Sequence, residues 1–352
     1  MARECLCVYI TCFCCVRYPP LPPLPLSPPP PPIPPPPHLK ACFDRERDGP
    51  EAFVSTLVHN NIRAMWHGIF SQDMADTFVR RHLMNTSEFW TQTPLPSISV
   101  ADARFQNVEG NNWSGPPEGL TFQRAIRALE NYGHHAEVVM IGARQKRALM
   151  TTMKFPQQIN PFTSVPDGGN DCYGPMLLAM LEFSALTTGI AVRPESETIL
   201  WSSLLSGKGS REGGEGGGEE AIGGGEAGNA DEAGEAGEAV VTFSYTQQLG
   251  GSMFRLDGWA SNRTFIGLRN GAVMFECTGN ARVVTGIDGI VVAVVGASAS
   301  TESVVLRLPE AAPGDPLRMV VHPNEEWMIV GGGGATPSFS LARAVQFTAP
   351  HN

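Results

Sequence analysis

Beyond residue 40 the sequence is poor in cysteine: only Cys42, Cys172 and Cys277 occur there, none in a Cys-x-x-Cys pair and none at a zinc-binding distance from histidine. That scarcity argues against a metal site and against a disulfide framework, and no cofactor is expected. A basic face is missing too. The formal net charge is -10, but residues 207–239 carry nine carboxylates against Lys208 and Arg211, which leaves only -3 for the rest. A part so nearly neutral offers no footprint for nucleic acid or an anionic membrane surface, and neutral substrates fit better. No apolar run is long enough to span a bilayer. The longest candidate, residues 5–16, has the length of a signal-peptide core, but Arg3 is cancelled by Glu4, which tilts the balance toward the cytoplasm over secretion.

Those absences set the boundaries. Residues 1–49 form a Cys/Pro-rich disordered leader: Cys5, Cys7, Cys12, Cys14 and Cys15 run into a proline tract at 19–37 that acts as an extended spacer. The cysteines are open to palmitoylation, although the leader reads best as an artefact of gene-model prediction. Residues 207–239 have no aromatic side chain and one large aliphatic, Ile222, so burial there cannot offset ordering entropy and a flexible acidic linker is expected. A helical domain at 50–206 and a β-rich domain at 240–352 remain.

Within 50–206 the apolar spacing is helical. Phe53, Leu57, Ile62 and Met65 mark a first stripe; Ser71 caps a second helix carrying Ala75, Phe78, Val79 and Leu83. Phe122, Ala125, Ile126, Leu129 and Tyr132 mark a helix capped by Thr121 and closed at Gly133, with others over 136–153 and around Leu177–Leu186. Long irregular passages separate them at 89–113 and 155–173, and loops of that length inside a domain are usually functional.

Several motifs stand in a specific order: Gly68-Ile69-Phe70-Ser71-Gln72-Asp73-Met74-Ala75, Phe89-Trp90, Pro94-Leu95-Pro96-Ser97-Ile98, Trp113-Ser114-Gly115-Pro116 and Asn131-Tyr132-Gly133. Over about 51–201 this resembles the second half of six-hairpin glycosidases, nearest the mannosylglycerate hydrolase-like branch related to glycoside hydrolase family 63 and trehalases. The resemblance implies a mainly α fold, a partial (α/α)6 toroid followed by a small antiparallel β domain. It also implies a small carbohydrate substrate and an inverting acid and base pair of carboxyls. The family's acid lies upstream of the matched stretch. Its base opens the motif Glu-x-Tyr-x-Pro-x-Thr-Gly, where this chain reads Gln157-Gln158-Ile159-Asn160-Pro161-Phe162-Thr163-Ser164; an amide at Gln157 cannot take the proton.

Glu118, Asp167 and Asp171, each in a loop on the implied pocket side, are the substitute carboxyls. Trp113 can stack on a sugar face, with Asn112, Gln123 and Arg124 as further substrate-binding candidates. Glu182, mid-helix among Leu and Phe, reads as a buried arginine partner or a pocket carboxylate, with the structural role favoured, and His134 and His135 read as charges at a helix C-terminus. Three Asn-x-Ser/Thr triplets, at Asn85, Asn112 and Asn262, matter only on secretion.

Past residue 239 the period changes to strands at 240–245, 252–256, 271–275, 282–285, 290–295 and 303–308, with residues from 331 onward irregular. The function expected is hydrolysis of a small α-linked glycoside. A non-catalytic carbohydrate-binding remnant and a truncated gene model are the alternatives. Half a toroid exposes apolar faces, so poor solubility or self-association is expected, in an oligomeric state the sequence leaves open.

Overall fold

The computed structural model describes residues 56–110, 113–167, 171–204, 243–259, 261–309, 316–330 and 337–351. The Cys/Pro leader, the acidic run, Asn112 and the glycines at 331–334 lie outside them. In chain order the helices and first strands are α1 (Asn60–Trp66), α2 (Gln72–Phe78), α3 (Gly119–Glu130), α4 (His135–Thr152), β1 (Gln158–Ile159), β2 (Pro166–Asp167) and α5 (Gly174–Thr187). Strands follow: β3 (Thr188–Arg193), β4 (Thr198–Ser203), β5 (Phe243–Leu249), β6 (Ser252–Trp259), β7 (Thr264–Arg269), β8 (Ala272–Thr278) and β9 (Ala281–Gly286). The last five are β10 (Val291–Val295), β11 (Glu302–Arg307), β12 (Leu317–Val321), β13 (Glu325–Val330) and β14 (Ser338–Ala344).

Local signals explain the helices. Ser71 Oγ accepts from the Met74 amide at 3.3 Å, and a π-helical turn at Val79–Leu83 carries α2 onward to the expected end. In α3 the buried face is Phe122, Ala125, Ile126 and Leu129, but the cap is Glu118 and Thr121 lies inside the first turn. Tyr132, just past the end, donates to the Phe70 carbonyl at 2.8 Å. Leu57 belongs to extended chain ahead of α1, since Val58 bridges Ile98.

Two six-stranded antiparallel sheets dominate the rest: β14-β13-β10-β9-β4-β3, and β12-β11-β8-β7-β6-β5. The middle of the first, β10, β9 and β4, is buried on both faces. Ile199 and Trp201 join Phe254, Leu256, Phe265, Phe275 and Leu306 of the second sheet in one apolar core, while Leu200, Val284, Ala293 and Val295 face the helices in the other. Successive side chains point to opposite faces, so a strand covered on both sides reads as an unbroken apolar run rather than an alternating one. This is why Ile199-Leu200-Trp201 and Val291 to Val295 lack a polar partner at every second position. The second sheet has one open face, and β6 alternates accordingly, with Phe254 and Leu256 buried and Met253 and Arg255 exposed.

The expected class needs correction. Among the described residues strands account for 36% against 28% for helix, so the fold is mostly β, not a mainly α partial toroid with a small β appendage. The cause is that β3 and β4 fill the end of the domain expected to be helical, and β7, β12, β13 and β14 add strands where none was expected.

Buried charges tie helices to sheets. Arg282 of β9 is fully buried: its guanidinium donates to Ser202 Oγ at 3.0 Å and to the Leu186 carbonyl at 3.0 Å, and lies 3.7 Å from Glu130. Burial pulls it down to about 10. Arg193 of β3 donates twice to Glu130, at 2.8 and 3.1 Å, and its other arm meets Glu182 at 3.1 Å. Glu182 is thus an arginine partner. The two histidines differ from expectation, because His134 caps the N-terminus of α4 and His135 opens that helix. His135 is half-buried beside Arg282, and desolvation followed by the Arg282 charge holds it well below the usual imidazole range. His134 sits 3.1 Å from Asp76 and 3.6 Å from Glu137. Glu137 in turn accepts from Asn324 at 2.8 Å and from the Thr348 amide at 3.2 Å.

Candidate functional site

Extended pieces of the long loops lie edge to edge near the N-termini of α1 and α3. His59 N–H donates to Ser97 O at 3.0 Å, Ser97 N–H to Gly115 O at 2.9 Å, Ile159 N–H to Pro117 O at 3.1 Å and Gly119 N–H to Gln157 O at 3.2 Å. Gly115 is required there, because a Cβ would stand 1.8 Å from the Gln106 carbonyl oxygen. The tight Trp113-Ser114-Gly115-Pro116 turn is thereby clamped, with Trp113 held at the surface, 53% exposed.

Beside this ladder opens a cavity of about 320 Å³ whose wall includes His59, Arg63, Ser97, Trp113, Glu118 and Arg124. Glu118 is fully buried. Its Oε1 accepts weakly from the Thr121 hydroxyl at 3.5 Å, and its Oε2 has no hydrogen-bond partner. Burial raises the carboxyl above its usual range, outweighing Arg124, the Thr121 contact and Arg63, which pull the other way. Thr121 Oγ1 also shares a hydrogen bond with His59 Nδ1 at 3.1 Å. Burial, aided by Arg124 and Arg63, drives His59 down to about 4, so its ring is neutral at physiological pH. Arg124 is lowered by burial and then by Arg63. Tyr173 is raised, by burial and then by Glu118.

A carboxyl that holds its proton more tightly than a solvated one is matched to proton donation rather than proton abstraction. The other sequence candidates are placed differently. Asp167 pairs with Gln158 across β1 and β2, and its Oδ1 accepts from the Gly110 amide at 3.0 Å. Asp171 is 53% exposed and stands 3.4 Å from Lys154. The Gln157 backbone carbonyl accepts from the Gly119 amide, and Gln123 is a half-buried helix residue outside the cavity wall. Trp113, Glu118 and Arg124 are therefore brought to one cavity, and Asp167, Asp171 and Gln123 are not. His59 and Arg63 are residues sequence reasoning missed. The signal for both was weak: an undistinguished His-Asn-Asn start to a short helix. Among the described residues no group of three or more His, Cys, Asp or Glu could hold a metal ion, and no helix is long and apolar enough to cross a membrane.

No protein-family profile and no curated protein match the sequence. Among solved structures the chain is similar to an uncharacterized conserved protein from Thermus thermophilus, at 17% identity and a TM-score of 0.32 over 36% of this chain and 32% of that one. It is also similar to the GH63 mannosylglycerate hydrolase of the same organism in complex with glucose, at 16% identity and a TM-score of 0.31 over 37% and 32% of the two chains. The same hydrolase in complex with Tris gives 17% identity and a TM-score of 0.31, over 37% and 30%. The matched part thus spans about a third of those proteins' length.

Proposed function

We propose that the chain is a glycoside hydrolase-like protein whose Glu118 cavity takes a small α-linked glycoside. The observation that carries this reading is the meeting, in one cavity, of Trp113 with a fully buried carboxyl whose Oε2 has no partner. An exposed indole supplies an apolar platform for a pyranose face, and a buried unpaired oxygen is costly until a ligand hydroxyl or glycosidic oxygen satisfies it. Glu118 is the proton donor to the leaving oxygen, with Thr121 and His59 fixing its orientation. The inverting mechanism of the resembled family further requires a carboxylate about 6.5–9.5 Å away to activate water.

One observation favours a second reading, a non-catalytic carbohydrate-binding protein. Glu118 is the sole carboxylate on the cavity wall among the described residues, and the family's base position carries Gln157. The two readings separate on incubating the purified chain with α-glucosides, α-mannosides, mannosylglycerate and trehalose beside Glu118→Gln. Turnover abolished by the amide supports the hydrolase. Binding without turnover supports the second reading, and neither binding nor turnover refutes both.

A further inference from the structure

The cavity carries more positive charge than a neutral sugar needs. Arg63 enters from α1 and Arg124 from α3, and both line it. No carboxylate among the described residues lies within ion-pair distance of either guanidinium, whereas exposed Arg104 and Arg307 have such partners, Asp102 and Glu276. The arginines are close enough for Arg63 to lower Arg124. Two unpaired like charges facing one hollow repel each other until an anion enters, which in a partly desolvated site strengthens the attraction for one.

The rest of the wall agrees. The cavity opens at the first turn of α3, where Leu120 lines it and the helix presents its positive end. His59 contributes no charge of its own at neutral pH. Against two cations stands Glu118 alone, with an Oε2 free to meet a ligand hydroxyl.

We propose that Arg63 and Arg124 form an anion subsite for a phosphomonoester, so that the ligand class of this cavity is a phosphorylated sugar. Two guanidiniums arriving from different helices match a dianionic tetrahedral group, whose three terminal oxygens can engage both forks at once. A planar monoanionic carboxylate fills one fork and leaves the second cation unbalanced. The phosphate occupies the arginine side, sugar hydroxyls reach Glu118, and the ring lies toward Trp113. This inference rests on the reading of the cavity as a sugar site.

The test is calorimetric titration of the full chain with inorganic phosphate, glucose 6-phosphate, glucose and glucuronate. Glucose 6-phosphate is expected to bind at least tenfold more tightly than glucose or glucuronate. Arg63→Gln and Arg124→Gln should each weaken phosphate and glucose 6-phosphate at least tenfold, while Arg104→Gln leaves both unchanged. Glu118→Gln, which cannot ionise, should bind inorganic phosphate no more weakly than the native chain even where it abolishes turnover. Arg63 is exposed, so its variant should keep the fold, which a melting curve verifies. Glucuronate binding as tightly as glucose 6-phosphate, or phosphate binding indifferent to both arginines, overturns the subsite. Were neutral glycosides to bind while phosphate does not, the subsite would fall and the sugar site would stand. Failure of every ligand removes both.

Discussion

Truncating Trp201 removes the side chain on which the two sheets meet. Its indole is fully buried, with ring centroids 6.0 Å from Phe254 and 5.6 Å from Phe275, and its Nε1–H donates to Thr285 Oγ1 at 3.0 Å. Those phenylalanines belong to the second sheet and follow the acidic run in sequence, whereas Trp201 precedes it. Trp201→Ala leaves a large void between two layers that cannot collapse far, because each is fixed by its own hydrogen-bond ladder. Truncation of a buried aromatic of this kind costs about 3–5 kcal/mol, including the aromatic pairs at about 0.5–1.5 kcal/mol each. Urea unfolding followed by far-ultraviolet circular dichroism measures the loss. For a domain of this size the same loss lowers the melting temperature by roughly 10 °C. Trp201→Phe, which keeps the ring and loses only the Thr285 bond and some volume, should cost about 1–2 kcal/mol. A loss below about 1 kcal/mol in the alanine variant would refute the shared core and, with it, the pairing of β4 against the C-terminal strands.

Three further outcomes follow from the buried charges. Because burial raises the folded carboxyl of Glu118 above its ordinary 4.5, the contribution of this group to stability is complete below pH 4.5 and is lost as pH rises through the folded value. Glu118→Gln lacks this penalty, so its stability relative to the native chain should increase between about pH 4 and pH 8 in parallel chemical denaturations. For His134, burial lowers the imidazole, but Asp76 and Glu137 outweigh it and the net shift is upward from 6.5. Its stabilisation is complete below 6.5 and fades as pH rises through the folded value, so His134→Gln should cost about 2 kcal/mol at about pH 6 and clearly less at about pH 9. Arg282→Met strips Ser202, the Leu186 carbonyl and one Glu130 oxygen of a partner, at an expected cost of about 3 kcal/mol read from the urea midpoint.

Much of this fold was legible in local pattern. Ser71 and the Phe122 to Leu129 stripe marked helix features that the structure keeps, whereas α3 is capped at Asn131, two residues before the expected Gly133, which turns the chain with a φ of +79°. Six of the C-terminal strands were marked by β-branched runs between glycine turns. Illegible were the strands whose signal depends on tertiary cover. Ile190-Ala191-Val192 and Ile199-Leu200-Trp201 are apolar on both faces because helices pack on one side and a second sheet on the other, and no single-chain period distinguishes that from buried helix. β14, with Ser338, Ser340 and Arg343 among its residues, is a mostly exposed edge strand and carries almost no apolar alternation.

The site divides in the same way. Trp113, Glu118 and Arg124 lie within twelve residues around a Gly-Pro turn and a helix start, where local chemistry advertises them. His59 and Arg63 reach the cavity only because Val58 bridges Ile98 and aligns α1 with the loop ladder, a contact between residues 40 apart in sequence. Asp167 and Asp171 carried the right functional group, but β1 and β2 pair one with the Gly110 amide and the other extends toward Lys154.

Saturation-transfer NMR of a small α-glycoside with the intact chain, Trp113→Ala and Glu118→Gln addresses the cavity most directly. If the cavity is the sugar site, ring-proton signals appear with the native chain, fall at least tenfold with Trp113→Ala and change with Glu118→Gln, while all three proteins melt cooperatively. Equal transfer to all three would place any sugar binding elsewhere and contradict the assignment.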